Sequence, residues 1–179
     1  MEEEIYNLFL SAKNGESRAF DKIYKKYFTP IYRYLFFRLR DKDLADDLTQ
    51  EVFIRAFNNI GQIDPTVRNP LAYFYTIARN LLIDNYRRAK HPIVSDSEAE
   101  KYLIEADNPE SIYEENEATK QLMTTLEKIS EMEAEAIILK YLRGLSNSEI
   151  AQVMNKSNQT IRKLQSRGLK SLKQFYGNI

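Results

Sequence analysis

The stretch SRAFDKIYKKYFTPIYRYLFFRLR, residues 17–40, sets Phe20, Ile23, Tyr24 and Tyr27, then Ile31, Leu35 and Leu39 beyond Pro30, at the three- and four-residue spacing of one helix face. The same period returns in later segments, and none shows the strict alternation of a half-buried strand. A chain patterned this way buries its apolar residues by packing helix stripes against one another. The expected fold class is therefore all-α.

A second helix is expected from about Asp43 to Asn59, with Leu48, Val52, Ala56 and Ile60 on its buried side. GQIDPTVRNP, Gly61–Pro70, reads as a loop from its Gly, Asp-Pro and Asn-Pro content. The next helix is expected from about Leu71 to Ala89, with Phe74, Ile77, Ala78 and Leu81 marking a buried face. The character then changes. Residues 91–120 are acidic, carry Pro92 and Pro109, and lack a sustained apolar stripe, so they read as a linker. A second helical unit follows from about Gln121. The expected organisation is two small helical domains, 1–90 and 121–179, joined by an acidic linker, 91–120.

Charge follows the same division. The net charge of zero resolves into +3 over residues 1–90, −7 over 91–120 and +4 over 121–179. The overall balance therefore says little about partners. With no cysteine, disulfides and thiolate metal sites are excluded, and with His91 as the sole histidine the usual His-based catalytic and zinc arrangements are too. There is no Gly-rich phosphate loop, so neither an enzyme nor a cofactor is expected. The acidic start MEEEIYNLFL does not read as a secretory signal, and YLFFRLR is broken by arginines before it approaches a membrane span. A cytoplasmic protein without membrane insertion is expected.

The clearest local signal is LSNSEIAQVMNKSNQTIRKLQSRGLKSLKQF, which reads as a helix-turn-helix. Ser146 and Glu149 have capping-box spacing and would start a short helix with Ile150, Ala151 and Val153 or Met154 on its apolar side. Asn155–Asn158 is a polar turn, and Ser157 or Asn158 can cap the second helix. Its buried residues would be Ile161, Leu164, Gly168 or Leu169, and Leu172. Its exposed side would carry Arg162, Lys163, Arg167 and Lys170, with Gln159 and Thr160 at the start, a pattern suited to base edges and phosphates in a major groove. Residues 145–179 hold six Lys/Arg against one acid, which fits that role. A helical hairpin with a merely solvated basic face has the same pattern.

Two earlier segments also carry candidate surfaces. Asp43, Asp47, Gln50 and Glu51 share one face of the second helix, away from its apolar side. Taken alone they fit a solvated surface with a Glu51–Arg55 pair. NPLAYFYTIARNLLIDNYRRAK combines aromatics expected to be exposed, among Tyr73, Tyr75 and Tyr86, with Arg79, Asn80, Arg87, Arg88 and Lys90. Aromatics stack on unpaired bases, Arg and Lys follow a backbone, and Asn can read a base edge. The tyrosines are equally compatible with a core, and Asp84 with a plain Arg88 partner.

DLADDLTQEVFIRAF, then NPLAYFYTIARNLLIDNYRR, then an acidic linker and the helix-turn-helix, in that order, resemble a bacterial RNA polymerase sigma factor of the sigma-70 family, extracytoplasmic-function (ECF) type. The resemblance runs from about Ala19 to Phe175. It implies a promoter-specificity subunit in which Asp47, Gln50 and Glu51 dock on the clamp helices of core RNA polymerase. Arg79, Asn80, Asp84, Arg87 and Arg88, with the loop Asn59–Pro70, would engage the −10 element, including a base flipped from the non-template strand. Gln159, Thr160, Arg162, Lys163, Arg167 and Lys170 would read the −35 element. The linker would thread near the polymerase cleft as a stand-in for RNA or serve as a tether. An anti-sigma protein is the expected regulator. The segment that opens the second domain reads ISEMEAEAIIL, with Ser130 and Ala134 where the family usually has Pro and Arg. The alternative function is a stand-alone helix-turn-helix regulator whose N-terminal half senses or dimerises. A protein that only sequesters a partner is a third reading.

Overall fold

The computed structural model describes residues 2–62, 70–90 and 124–176, and among them every regular element is helical. The linker assigned to 91–120 and most of the loop 61–70 lie outside the described residues. The N-terminal unit comprises α1 (Glu2–Lys13), α2 (Ser17–Leu39), α3 (Lys42–Asn59), a 3₁₀ turn (Ile60–Gln62) and α4 (Pro70–Lys90). Helix α2 passes through Pro30 instead of ending there. An interior proline costs about 3 kcal/mol. Beyond it, however, Ile31, Tyr34 and Leu35 are almost fully buried, and burying each such side chain contributes roughly 1.5–3 kcal/mol. Packing therefore carries the helix past its breaker.

Helix α2 stops at Arg40, which adopts a left-handed conformation (φ 57°) and donates its N–H to Phe36 O. One residue on, Asp41 caps α3 by accepting from Leu44 N at 3.1 Å. The α3 stripe is wider than expected. Val52, Ala56 and Ile60 are buried as anticipated and Leu48 only half-buried, while Ala45, Thr49 and Phe53 complete the buried face. Phe53 and Phe74 meet at 5.1 Å between ring centroids, and Phe9 of α1 meets Phe74 edge-on at 5.6 Å, so an aromatic cluster joins three helices.

The described part of the C-terminal unit opens with a helical turn at 124–126 and continues into α5 (Glu131–Ile137), which widens into a π-helical turn, Ile138–Leu142. Ser130 starts α5 through a reciprocal capping box with Glu133. Helices α6 (Asn147–Met154) and α7 (Asn158–Tyr176) form the helix-turn-helix. The Ser146–Glu149 capping box is present, Asn155 turns the chain in a left-handed conformation (φ 50°), and Ser157 accepts from Thr160 N at 3.2 Å to cap α7. Where Gly168 or Leu169 could have faced inward, it is Gly168. A Cβ built there would sit 2.6 Å from Ile137 Cδ1, so its absence lets α7 lie against α5. Leu169 is 42% exposed.

The two units are packed together. Helix α4 lies against α6 and is consequently buried on two sides. Phe74, Ala78 and Leu81 face the N-terminal core, with Ile77 half-buried, while Tyr75 and Leu82 are also buried. Of the three tyrosines left open between surface and core, Tyr75 is therefore a core residue. It packs edge-on against Tyr34 at 5.2 Å, and burial, partly opposed by the nearby Arg143 charge, pushes its phenol far above its ordinary pKa.

Candidate nucleic-acid interface

Helix α3 presents Asp43, Asp47 and Gln50 to solvent, with Asp46 and Glu51 half-buried beside them. Gln50 Nε2 donates to Asp46 Oδ2 at 2.7 Å, and Glu51 Oε1 accepts from Arg55 Nε at 2.6 Å in the expected i,i+4 pair. That pair is worth only a few tenths of a kcal/mol at the surface and leaves the face net acidic. Gln50 also stands at the rim of a groove of about 360 Å³ floored by Phe20, Tyr24, Phe53, Ile54 and Phe57. Ile54 and Phe57 are 55% and 50% exposed. The sequence reading passed over this apolar strip, although its signal is there: two large apolar residues three apart, off the Val52–Ala56 stripe. An acidic rim beside exposed apolar side chains is a protein-binding chemistry, since nucleic acid would be repelled by the first and gain little from the second.

The candidate basic residues of α4 do not act as one group. Asn80, Arg87 and Arg88 are exposed, and Asp84 is half-buried with no ion pair to Arg88. Tyr86 is 36% exposed, and its hydroxyl donates to Arg38 O at 2.8 Å, so its ring is held at the surface. Tyr73 is half-buried. Arg79 turns away from them. Its Nε donates to Glu135 Oε1 at 3.1 Å, and its side chain is only 18% exposed. Glu135, buried to 2%, also accepts from Tyr34 OH at 2.7 Å and pairs with Arg38 Nη1 at 3.2 Å. Burial, and then the Glu135 carboxylate, hold the Tyr34 phenol well above its ordinary pKa, so it remains a neutral donor. Desolvation lowers the Arg38 pKa, but Glu135 and other neighbours more than compensate and leave it raised. The sequence carried no local sign of this cluster.

Helix α7 is divided cleanly. Ile161, Gln165, Gly168 and Leu172 face inward, with Leu164 half-buried, and Gln159, Arg162, Lys163, Arg167 and Lys170 are exposed along the opposite side. Thr160 is half-buried, its Oγ1 2.9 Å from Ser157 Oγ within the cap. Gln165 Nε2 donates to Asn147 Oδ1 at 3.1 Å, which ties α7 to the start of α6 and fixes the angle at which the basic face is offered. Four cations on one helix face with no acid among them suit a polyanion. Among the described residues there is no group of three or more His, Cys, Asp or Glu placed to hold a metal, and no helix long and apolar enough to cross a membrane.

Residues 23–91 match the family described as Sigma-70 region 2, and residues 119–172 match Sigma-70, region 4. The chain is 33% identical over 163 residues to the ECF RNA polymerase sigma factor BldN of Streptomyces coelicolor, a match covering 90% of this chain and 61% of that protein. It therefore spans less than two thirds of that relative. It is 30% identical over 156 residues to the ECF RNA polymerase sigma factor SigM of Bacillus subtilis, covering 87% of this chain and 94% of SigM. Its fold is similar to that of CnrH, solved in complex with the cytosolic domain of CnrY, with a TM-score of 0.70, 20% identity and 98% of each chain covered. It is also similar to the sigma factor RpoE solved with the anti-sigma factor NepR from Bartonella quintana, with a TM-score of 0.66, 19% identity, and 88% of this chain and 96% of that one covered.

Proposed function

The chain belongs to the ECF group of the sigma-70 family, and from that premise we propose that it docks on core RNA polymerase through α3 and reads promoter DNA through α4 and α7. Its function is that of a promoter-recognising sigma subunit. The observation that carries the division of labour is the segregation of surface chemistry. The acidic and apolar face lies on α3, and exposed arginines and lysines lie on α4 and α7. Asp47, Gln50 and Glu51 form the polar part of the dock, and Ile54 and Phe57 extend it into the groove.

At the −10 element, Asn80, Arg87 and Arg88 are placed to meet DNA, and Tyr86 offers a ring for an unstacked base. Extruding a base costs a few kcal/mol, which stacking on an aromatic can offset. Asp84 borders this face, and Arg79 joins it only once freed from Glu135. At the −35 element, Gln159 and Thr160 begin the helix that enters the major groove, while Arg162, Lys163, Arg167 and Lys170 secure it to phosphates. The chain performs no catalysis itself, works in the cytoplasm and is restrained by an anti-sigma protein. The last point is supported by the protein partner in each of the two solved neighbours.

Co-elution with cognate core polymerase tests the central assignment. Wild-type protein should co-elute, and an Asp47→Ala, Gln50→Ala, Glu51→Ala variant with an unchanged circular dichroism spectrum should not. If the wild type fails to bind core, the sigma reading is wrong and the stand-alone regulator takes its place.

A further inference from the structure

Residues 13–40 hold eight Lys and Arg against two Asp and Glu, a balance of +6, twice the +3 of the whole N-terminal unit. Two of the eight, Arg38 and Arg40, turn to glutamates of the C-terminal unit. Four others, Arg18, Lys22, Lys25 and Lys26, are exposed on the first half of α2. Ala19, Ile23 and Tyr27 from the same turns are buried, which fixes the series Arg18, Lys22, Lys26, with Lys25 beside it, on the outward face. Among the described residues Lys25 alone of the four has an acidic partner, Asp21 at 2.9 Å, and both side chains of that pair are more than half exposed, so it is held weakly. Folding gains nothing from the arrangement. Like charges at i, i+4 repel, and a helix start favours acids, yet the first turn of α2 has none and carries Arg18.

We propose that the outward face of α2 is a further DNA contact, a phosphate track of Arg18, Lys22, Lys25 and Lys26 that holds promoter DNA by its backbone without reading its sequence. The proposal rests on the sigma reading above, which brings DNA to α4.

The chemistry of the face selects phosphate over other anionic partners. A protein dock has apolar side chains at its centre, as the α3 groove has in Ile54 and Phe57. A helix that lies on a membrane needs them for insertion. The four cations have none among them on the outward face, and Tyr24, exposed in the same stretch, lines the α3 groove instead. Three of the four are lysines, which act as point charges, and residues 18–26 contain no Asn or Gln to pair with a base edge. Spacing agrees with this. Arg18 to Lys26 covers about 12 Å of helix, and 12 Å of duplex carries roughly three to four phosphates per strand. The track also continues a surface already assigned to DNA. Tyr86 OH donates to Arg38 O of α2, so DNA at Tyr86 borders one end of this helix, and Lys26 lies about 18 Å back along it.

The test uses full-length protein carrying Arg18→Gln, Lys22→Gln and Lys26→Gln, assembled with core polymerase. A promoter is first mapped by run-off transcription from the host's genomic DNA, and holoenzyme binding to it is then measured against salt. The slope of log K against log salt should fall by about 2–3. Between about 50 and 200 mM salt the wild type should then lose roughly 20–40-fold more affinity than the variant. Preference among promoter sequences should stay the same, and a charge-keeping Arg18→Lys, Lys22→Arg, Lys26→Arg variant should show the wild-type slope. An unchanged slope in the glutamine variant, with core binding intact, would refute the track, and an altered sequence preference would overturn its backbone-only character. Loss of core binding by the glutamine variant would also refute it and make the face a polymerase dock. Should the wild type itself not bind core, the sigma reading falls, and titration of the free full-length chain onto a labelled duplex of unrelated sequence decides the track. The glutamine variant should then bind about tenfold more weakly at low salt, and equal affinity would refute the proposal.

Discussion

Replacing Gly168 by alanine sets two opposing effects against each other at the position where α7 lies against α5. Alanine is favoured over glycine inside a helix by about 0.8–1.0 kcal/mol. The new methyl would lie 2.6 Å from Ile137 Cδ1, 3.2 Å from Glu133 Cβ and 3.4 Å from Ile129 Cδ1. Ile137 Cδ1 is the end of a side chain and can rotate, but Ile137 is only 4% exposed and has little free space. Glu133 Cβ is attached directly to the α5 backbone and moves only if the helix moves. Overpacking of this kind costs about 1–3 kcal/mol. The packing effect should win, leaving Gly168→Ala destabilised by about 1 kcal/mol, with Tm lower by roughly 2–4 °C for a chain of this size. Thermal unfolding followed by far-UV circular dichroism measures this, with Ser166→Ala, on the exposed side of the same helix, as the calibration of propensity alone. A rise in Tm at Gly168→Ala matching that at Ser166→Ala would show that α5 and α7 are not in the close contact described.

Ser146→Ala removes one side of the α6 capping box and should cost about 1 kcal/mol in urea unfolding, with weaker −35 binding because α6 supports α7. Tyr34→Phe deletes a buried hydrogen bond to a carboxylate and should cost about 1.5–3 kcal/mol, the shape of the site being kept. Alkaline pH should destabilise the fold. Tyr34 and Tyr75 have folded-state pKa values raised above the ordinary 10.0, so above about pH 10 the unfolded chain releases protons that the folded chain retains. Urea midpoints should fall with pH from there upward, and less so in a Tyr34→Phe, Tyr75→Phe variant. Lys170→Gln should reduce the slope of log K against log salt for the holoenzyme–promoter complex by about 1, with sequence preference unchanged.

Features legible in the sequence were those specified within one or two helical turns. The capping box at Ser146 and Glu149 needs only two residues three apart, and the inward face of Ile161, Leu164 and Leu172 needs only the helical period. The Glu51–Arg55 pair is likewise a neighbour relation on one helix. Motif order then carried the family, because the acidic α3 segment, the aromatic and basic α4 segment and the helix-turn-helix are each contiguous. The exposed pair Ile54 and Phe57 was harder to see, since an apolar residue off the main stripe shows its exposure only when its neighbours are in place.

Tertiary structure decided how these pieces act on one another. Periodicity gave α4 one buried face. Tyr75 and Leu82, outside that face, are buried as well, Tyr75 against Tyr34, in a helix that also lies against α6. Gly168 and Leu169 both border the inward stripe, and only the nearness of Ile137 and Glu133 selects the residue without a side chain. Tyr34 and Arg79 lie 101 and 56 residues from Glu135, so no local rule could have joined them. Local propensity and hydrophobic spacing act along the chain and are written in it. The choice of partner for a buried charge depends on which surfaces meet, and here it gives Arg79 of α4 to a glutamate 56 residues away.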